Sequence, residues 1–197
     1  MEQKVTLEGP TLEGRRLRLR PWRLPEDLGP LHEINGDPAV MRHFPAVMDR
    51  AESDAWATRL DGHFAQHGWG FWVVETTAAP MAGSVAGVVG LMHIPWQAPF
   101  TPAVEIGWRI ATRFQRQGLA EEAARLALAH GFGPLGLERI VAFTAPANEA
   151  SWRLMERLGM SHQGAFEHPR LAEGHPLRTH HWYELARADW IAQRLGG

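Results

Sequence analysis

The chain of 197 residues contains no cysteine, so disulfide bonds and thiolate metal sites are excluded. No apolar run approaches the ~20 residues that a membrane-spanning helix needs. The formal net charge of −2 provides no general basic surface for nucleic acid. The first residues, MEQKVT, lack the apolar core of a signal peptide. We therefore expect a cytoplasmic protein that binds neither membranes nor nucleic acid directly.

The composition is that of an ordinary globular protein, with 45% hydrophobic and 21% charged residues. Residues 1–14 are polar without a period, which predicts a loose N-terminal segment, and residues 15–197 are long enough for one domain with a sizeable core. Strand-like and helix-like segments are mixed along this domain, which predicts the α/β or α+β class.

The spacing of apolar residues predicts the individual elements. Strands are expected over 15–20, 69–75, 84–94, 104–110, 138–144 and twice within 160–190, the last over 177–185. Helices are expected over 25–34, 50–67, 148–159 and from 119 to a stop between 131 and 136. The first strand alternates arginine with leucine, which predicts an edge strand with its arginines in solvent.

The most informative stretch is VEIGWRIATRFQRQGLA, residues 104–120. Its first half alternates as a strand does, and its second half turns through Gly118 into an amphipathic helix. Such a turn leaves several backbone N–H groups without partners. Together with the helix dipole, Arg113 and Arg116, these groups predict an anion-binding site.

The pattern Gln115-x-x-Gly118-x-Ala120, placed between a strand and a helix, resembles the acetyl-CoA pyrophosphate loop of the GNAT N-acetyltransferases. The resemblance implies the GNAT fold, a twisted mixed sheet of about seven strands with a splayed central pair, flanked by helices. It also implies acetyl-CoA as cosubstrate, without a metal. The loop residues implied to bind it are Arg113, Gln115, Arg116, Gln117, Gly118, Leu119 and Ala120.

Gly107 interrupts a run of good strand formers, which predicts a bulge or the close approach of another backbone. In the GNAT family the pantetheine arm enters a wedge beside a bulged central strand. The resemblance therefore implies that the backbone of Trp108, Arg109 and Ile110 holds this arm.

A second motif runs from Asn148 through Ser151 to Leu-Gly159-Met. As structure alone, Asn148 is a good N-cap and Gly159 a good C-terminal stop. The order Asn-x-x-Ser, helix, Leu-Gly-Met also resembles the second cofactor motif of the ribosomal-protein (RimJ/RimL-like) branch. That resemblance covers residues 15–190 and implies that Asn148 and Ser151 face the cofactor near its sulfur.

Glu105 is the candidate general base, since the same branch carries an acid in Glu-hydrophobic-Gly-aromatic, here Glu105 to Trp108. An amine acceptor attacks only in its neutral form, so a positioned base contributes ~10²–10⁴-fold. Ser151 is the candidate acid for the departing thiolate, because many GNATs use a tyrosine on this helix and the only tyrosine here is Tyr183.

The resemblance implies a protein or peptide N-terminal α-amine as the acceptor. A small-molecule amine, such as a polyamine, amino acid or antibiotic, is the rival substrate, and a non-catalytic acyl-CoA sensor is the rival outside the enzyme class. Trp72 and Trp96 are candidates for an acceptor pocket, with core packing as the competing interpretation. The oligomeric state stays open, a homodimer included.

The eleven histidines do not predict a metal site. His175, His180 and His181 lie close in sequence, but there is no His-Glu-x-x-His pattern. Adjacent histidines on a strand also face opposite sides of the sheet, so we expect loop and surface positions instead.

Overall fold

The computed structural model describes residues 9–195 and contains one mixed sheet of eight strands. Residues 1–8, which carry the expectation about a signal peptide, lie outside this range. The strands are β1 (Leu12–Glu13), β2 (Leu17–Arg20), β3 (Phe71–Thr76), β4 (Val85–His93), β5 (Val104–Ile110), β6 (Arg139–Thr144), β7 (Ser161–Glu167) and β8 (Thr179–Ala186). The helices are α1 (Leu28–Asn35), α2 (Pro38–Met41), α3 (Arg50–His67), α4 (Leu119–Phe132), α5 (Glu149–Arg157) and α6 (Arg187–Leu195). Among these helices, none combines the length and apolarity needed to cross a bilayer.

The strand order is β1-β2-β3-β4-β5-β6-β8-β7, and the centre of the sheet is splayed. β5 pairs with β4 antiparallel along its whole length, from Val104 opposite His93 to Ile110 opposite Gly87. Its parallel pairing with β6 is confined to Glu105 opposite Val141. Beyond this pair the carboxyl-terminal parts of β5 and β6 are not paired with each other, and we call the gap between them the cleft. The predicted mixed sheet with a splayed central pair is therefore confirmed.

The two faces of β5 have different surroundings. Ile106 and Ile110 are buried in the main core together with the alanines of α4. On the opposite face, the Arg109 guanidinium contacts Asn35 of α1 and the ring of Trp56 of α3. Alternation along the strand places Glu105 and Arg109 on the same face. Glu105 therefore lies on the side of the sheet that α1 and α3 cover.

The bulge expected at Gly107 is not there, because the β4–β5 register passes through it without a shift. Irregular pairing occurs instead between β3 and β4, at Val74 and Glu75. A Cβ atom at Gly107 would lie 2.8 Å from Cζ of Phe71. The glycine therefore makes room for an aromatic ring, a close approach by a side chain and not by a backbone.

The N-terminal part of the domain differs from expectation in two ways. Leu12–Glu13, in the segment expected to be loose, pairs with β2, so β2 is not an edge strand. Arg20 is also buried, since its guanidinium donates to both carboxylate oxygens of Asp27 and, at 2.6 Å, to Glu75. The arginine–leucine alternation gave no sign of these acidic partners, which are supplied by β3 and by the segment before α1.

Two helices were not expected. α2 follows the turn at Asp37, whose carboxylate accepts the Ala39 N–H at 2.8 Å, with Pro38 at the first helical position. α6 continues directly from β8 at Arg187, with no glycine or proline to signal the change, and buries only Trp190.

We predict that Glu75→Ala lowers the free energy of unfolding by about 3 kcal/mol, because it leaves buried Arg20 with one counter-charge fewer. Asp54→Ala removes an exposed i,i+4 pair with Arg50 and should cost less than about 1 kcal/mol. Urea unfolding at pH 7 measures both values. Similar losses in the two variants would show that the buried network contributes no more than a surface pair.

Candidate active site

The segment after β5 presents free backbone N–H groups. It makes one short 3₁₀ turn, Thr112–Phe114, and enters α4 through Gly118, which has a left-handed φ of 75°. Within residues 9–195, the N–H groups of 116–118 donate to no backbone carbonyl. Those of 119–121 are free because the first turn of a helix has no partners for them. The N–H groups from 116 to 121 are therefore available to an anion.

Side-chain donors occupy the carbonyl groups of this segment. Gln115 Nε2 donates to the Ile110 carbonyl at 2.9 Å, and Gln117 Nε2 donates to the Arg113 carbonyl at 2.8 Å. Nη1 of Arg16, the residue before β2, donates to the Gln117 carbonyl at 2.7 Å. The two glutamines thus act through their side chains as internal braces, and the loop is held in shape before any ligand arrives.

The cationic side chains of the loop are exposed. Arg113 is weakly paired, at 3.8 Å from the Glu33 carboxylate, and Arg116 has an unusual positive φ of 58°. Leu119 is buried and Ala120 partly buried, so only their backbone N–H groups can serve an anion. A cavity of about 370 Å³ opens beside the loop and is lined by Glu33, Ile34, Asp37, Ala111, Thr112 and Arg113.

The side chain of Arg109 connects β5 to the helices above it. Its guanidinium donates to Asn35 Oδ1 and lies 4.3 Å from the ring centroids of both Phe44 and Trp56. Burial lowers the pKa of Arg109 to about 10. Of the three residues expected to hold a pantetheine arm through their backbone, Arg109 and Ile110 are buried and Trp108 is partly buried.

Glu105 occupies the narrow end of the cleft, at the last residue pair that joins β5 to β6. It is partly buried, and no donor among the described residues gives its carboxylate a hydrogen bond. Burial raises the pKa of Glu105 to about 7, against an opposing effect of the Arg170 guanidinium. A carboxylate with this pKa can take up and release a proton at neutral pH.

Asn148 and Ser151 lie on the β6 side of the cleft, at the start of α5. The Asn148 side chain does not cap the helix, contrary to the capping expectation, and its Nδ2 donates to Thr144 Oγ1 at 2.9 Å instead. Ser151 is partly buried, and its hydroxyl has no hydrogen-bond partner among residues 9–195. Because β5 and β6 are parallel, the helices that follow them, α4 and α5, begin at the same edge of the sheet.

The two tryptophans proposed for the acceptor pocket have different positions. Trp72 is 0% exposed and donates to the Pro10 carbonyl at 2.9 Å, so its assignment to the pocket is wrong. The strand pattern hid this burial, because β3 is covered on both faces. Trp96 is only partly buried, with its ring centroid 4.7 Å from that of His168 and 5.4 Å from that of Phe143. Trp96 stays a candidate.

An aromatic cluster lies next to Glu105 and was not recognised in the sequence. Val141, the partner of Glu105, belongs with Phe143 and Phe166 to this second cluster. Residues directly opposite in a sheet share a face, so the cluster and the Glu105 carboxylate are on the same side. The loop of residues 168–178 adds Arg170 to this region. No local signal marks Phe166 and Arg170, since the β7–β8 hairpin brings them to the site.

The histidines of β8 and the single tyrosine have separate surroundings. His180 contacts the Phe166 ring while His181 contacts the His162 ring, so the adjacent histidines do face opposite sides. No group of three potential ligands in the described part of the chain is arranged to hold a metal ion. Tyr183 is 4% exposed, and burial raises its pKa, so it is a core residue.

Comparison with known proteins agrees with the fold. Residues 16–161 match the acetyltransferase (GNAT) domain family. The chain is 27% identical over 178 residues to the uncharacterized N-acetyltransferase YnaD of Bacillus subtilis, covering 89% of this chain and 96% of that protein. It is 29% identical over 164 residues to spermidine N(1)-acetyltransferase of Escherichia coli, covering 80% of each. In structure it superposes on Mycobacterium smegmatis RimJ in complex with CoA-disulfide, with a TM-score of 0.70, 20% identity and coverage of 94% and 95%.

The family match spans most of the domain, the sheet has the splayed centre that this family implies, and the named relatives are N-acetyltransferases. The chain therefore belongs to the GNAT family of acetyltransferases, which use acetyl-CoA as the acetyl donor.

Proposed function

We propose that this acetyltransferase modifies the N-terminal α-amine of a protein or peptide, with Glu105 as the general base. The observation that carries the proposal is the placement of Glu105 at the narrow end of the cleft, where burial raises its pKa to about 7. The resemblance of Glu105-Ile-Gly-Trp108 and Asn148-x-x-Ser151 to the RimJ/RimL-like branch supports the same acceptor.

The residues divide the reaction among them. The N–H groups of 116–121, with Arg113 and Arg116, bind the pyrophosphate of acetyl-CoA. Glu105 takes a proton from the acceptor ammonium, directly or through a water molecule, and the neutral amine forms the C–N bond to the acetyl carbon as the C–S bond breaks. The second proton, which the nitrogen loses as the amide forms, passes through the free hydroxyl of Ser151 to the leaving sulfur, so that CoA departs as the thiol. Asn148 lines the same side of the cleft.

The pKa of Glu105 favours an α-amine over a lysine or polyamine. A proton transfer from an α-ammonium of pKa about 8 to a carboxylate of pKa about 7 is uphill by roughly 1.4 kcal/mol. The same transfer from an ε-ammonium of pKa about 10.4 is uphill by roughly 4.6 kcal/mol. A base of this strength therefore suits the stronger of the two ammonium acids, which is the α-ammonium.

The charges near Glu105 also oppose a polycation. Arg170 acts on Glu105 from the 168–178 loop, and Arg109 adds a buried positive charge on the same face of β5. A polyamine brings two or more positive charges, and repulsion by these guanidinium groups raises the free energy of its complex. The name of the Escherichia coli relative makes spermidine the specific rival to test.

We expect a peptide α-amine to give a higher kcat/KM at pH 7 than a lysine ε-amine or spermidine. Released CoA is measured with a thiol reagent, which has no background here because the chain lacks cysteine. Preference for spermidine would reject the α-amine proposal and keep the acetyltransferase. No turnover with any amine, together with tight CoA binding, would favour a sensor.

Glu105→Gln should lower kcat at pH 7 by ~10² or more, with nearly unchanged affinity for acetyl-CoA, because it keeps the shape and removes the base. Wild-type activity should rise with pH through about 7, where Glu105 ionises, and this limb should be lost in the variant. The deficit should shrink toward pH 9, where the α-amine is neutral in solution.

Ser151→Ala is the comparison variant for this experiment. The leaving thiolate needs stabilisation whatever the protonation state of the amine, so its deficit should be smaller and roughly independent of pH. Both variants are assayed with saturating acetyl-CoA and one acceptor. Wild-type turnover by Glu105→Gln at pH 7 would remove Glu105 from the mechanism.

Gly118→Val should weaken CoA binding at least tenfold, because a β-branched residue is strained at a φ of 75° and shifts the N–H groups of the loop. Gly136→Val is the matched control, with a similar φ of 62° and no neighbour within 4 Å of the added Cβ. Calorimetry with CoA measures both. Normal binding by Gly118→Val, or equal losses in the two variants, would mean that the loop is misassigned.

A further inference from the structure

Arg16 connects the N-terminal strands to the anion-binding loop, although neither motif in the sequence included it. Its Nη1 donates to the Gln117 carbonyl at 2.7 Å, and its Nε donates to the Glu122 carboxylate at 2.8 Å. The backbone N–H of Arg16 donates to the same carboxylate at 2.8 Å. One residue thus holds both the loop, at Gln117, and the first turn of α4, at Glu122.

The bond to the Gln117 carbonyl has a directional consequence for the next residue. In a trans peptide the C=O of one residue and the N–H of the next point in opposite directions. A donor fixed on the Gln117 oxygen therefore turns the Gly118 N–H away from Arg16. The same bond polarises the peptide group and makes this N–H a stronger donor.

The other braces of the loop do not have this effect. The peptide that follows the Arg113 carbonyl carries the N–H of Phe114, which donates to Ala111. The peptide that follows the Ile110 carbonyl carries the N–H of Ala111, which donates to Ala86. Of the three braced peptides, the one held by Arg16 is the one whose N–H stays free for a ligand.

The pair with Glu122 supplies a second effect. Glu122 lies in the first turn of α4, beside the N–H groups that an anion would use. An unpaired carboxylate there would repel a phosphate. The Arg16 guanidinium neutralises it, and its Nη2 lies only 3.4 Å from the position of a Cβ at Gly118. Arg16 therefore both orients the Gly118 N–H and neutralises the nearby Glu122 carboxylate.

We propose that Arg16 is a positioning residue for the pyrophosphate of acetyl-CoA, acting through the Gln117–Gly118 peptide and through Glu122. This proposal rests on the proposed role of the 116–121 segment as the pyrophosphate site. Arg16 makes its contribution to donor binding alone and takes no part in proton transfer or acceptor choice.

The test compares Arg16→Gln with Arg15→Gln. Both variants lose one positive charge at neighbouring positions, but Arg15 is exposed and makes no side-chain ion pair within the described residues. Calorimetry with CoA should show at least tenfold weaker binding for Arg16→Gln and less than about twofold for Arg15→Gln. Equal weakening would reduce Arg16 to a general charge and overturn the proposal.

A truncated donor separates positioning from a general loss of structure. S-acetylpantetheine carries the thioester arm but no diphosphate, so Arg16→Gln should lower kcat/KM for acetyl-CoA while leaving that for S-acetylpantetheine unchanged. Parallel losses on both donors would overturn the proposal. Arg16→Lys keeps the positive charge but lacks the separate Nε and Nη1 donors that bond to Glu122 and to the Gln117 carbonyl. Wild-type CoA affinity in this variant would also overturn the proposal.

The failure of the proposed function has a different result. In that case the wild-type protein fails to bind CoA, or the Gly118→Val variant binds CoA as tightly as the wild-type protein does. The Arg16 comparison decides only whether this side chain organises a loop that does bind CoA.

Discussion

A single residue pair, Glu105 with Val141, joins the two halves of the sheet, and the candidate site depends on this limit to pairing. β5 keeps its full ladder with β4 on one side, so it stays straight while β6 moves away on the other. The cleft is therefore built into the sheet and does not need a separate domain or a mobile loop. Since β5 and β6 are parallel, the starts of α4 and α5 flank the open end of this cleft. The residue of β5 that is paired with β6, Glu105, is the candidate base.

The segment between β5 and α4 shows how side chains can brace a stretch of chain that has little regular structure. If the segment could bend so that its free N–H groups donated to its own carbonyls, these groups would no longer be available to an anion. Gln115, Gln117 and Arg16 prevent this by occupying those carbonyls with side-chain donors. The side chains of both glutamines of the motif thus donate to the backbone of the same segment. Gln117 is exposed to solvent, yet its side chain still donates to the Arg113 carbonyl.

Local pattern predicted much of this structure. Period-two alternation predicted β5 with the bounds it has, and helical spacing predicted α3 with the bounds it has. The failures concern partners that are distant in sequence. Trp72 was assigned to a pocket but is enclosed by the core. Gly107 predicted a bulge, but its missing side chain leaves room for the Phe71 ring. Arg170, which acts on Glu105, comes from the later β7–β8 hairpin. Residue type and spacing carry no information on which distant group fills the space beside them. The roles of Glu105 and Ser151 stay predictions.

The raised pKa of Glu105 also links catalysis to the energetics of folding. The carboxyl has a pKa of about 7 in the folded chain against an ordinary value of 4.5, so between these pH values the folded chain binds the proton more tightly than the unfolded chain does. The stabilisation this provides is complete below a pH of about 4.5 and is lost as pH rises through about 7. The folded chain is therefore less stable when Glu105 is ionised than when it is protonated. Any cationic group held beside this carboxylate would act as its counter-ion, so binding of a cation there would offset the stability that proton release costs.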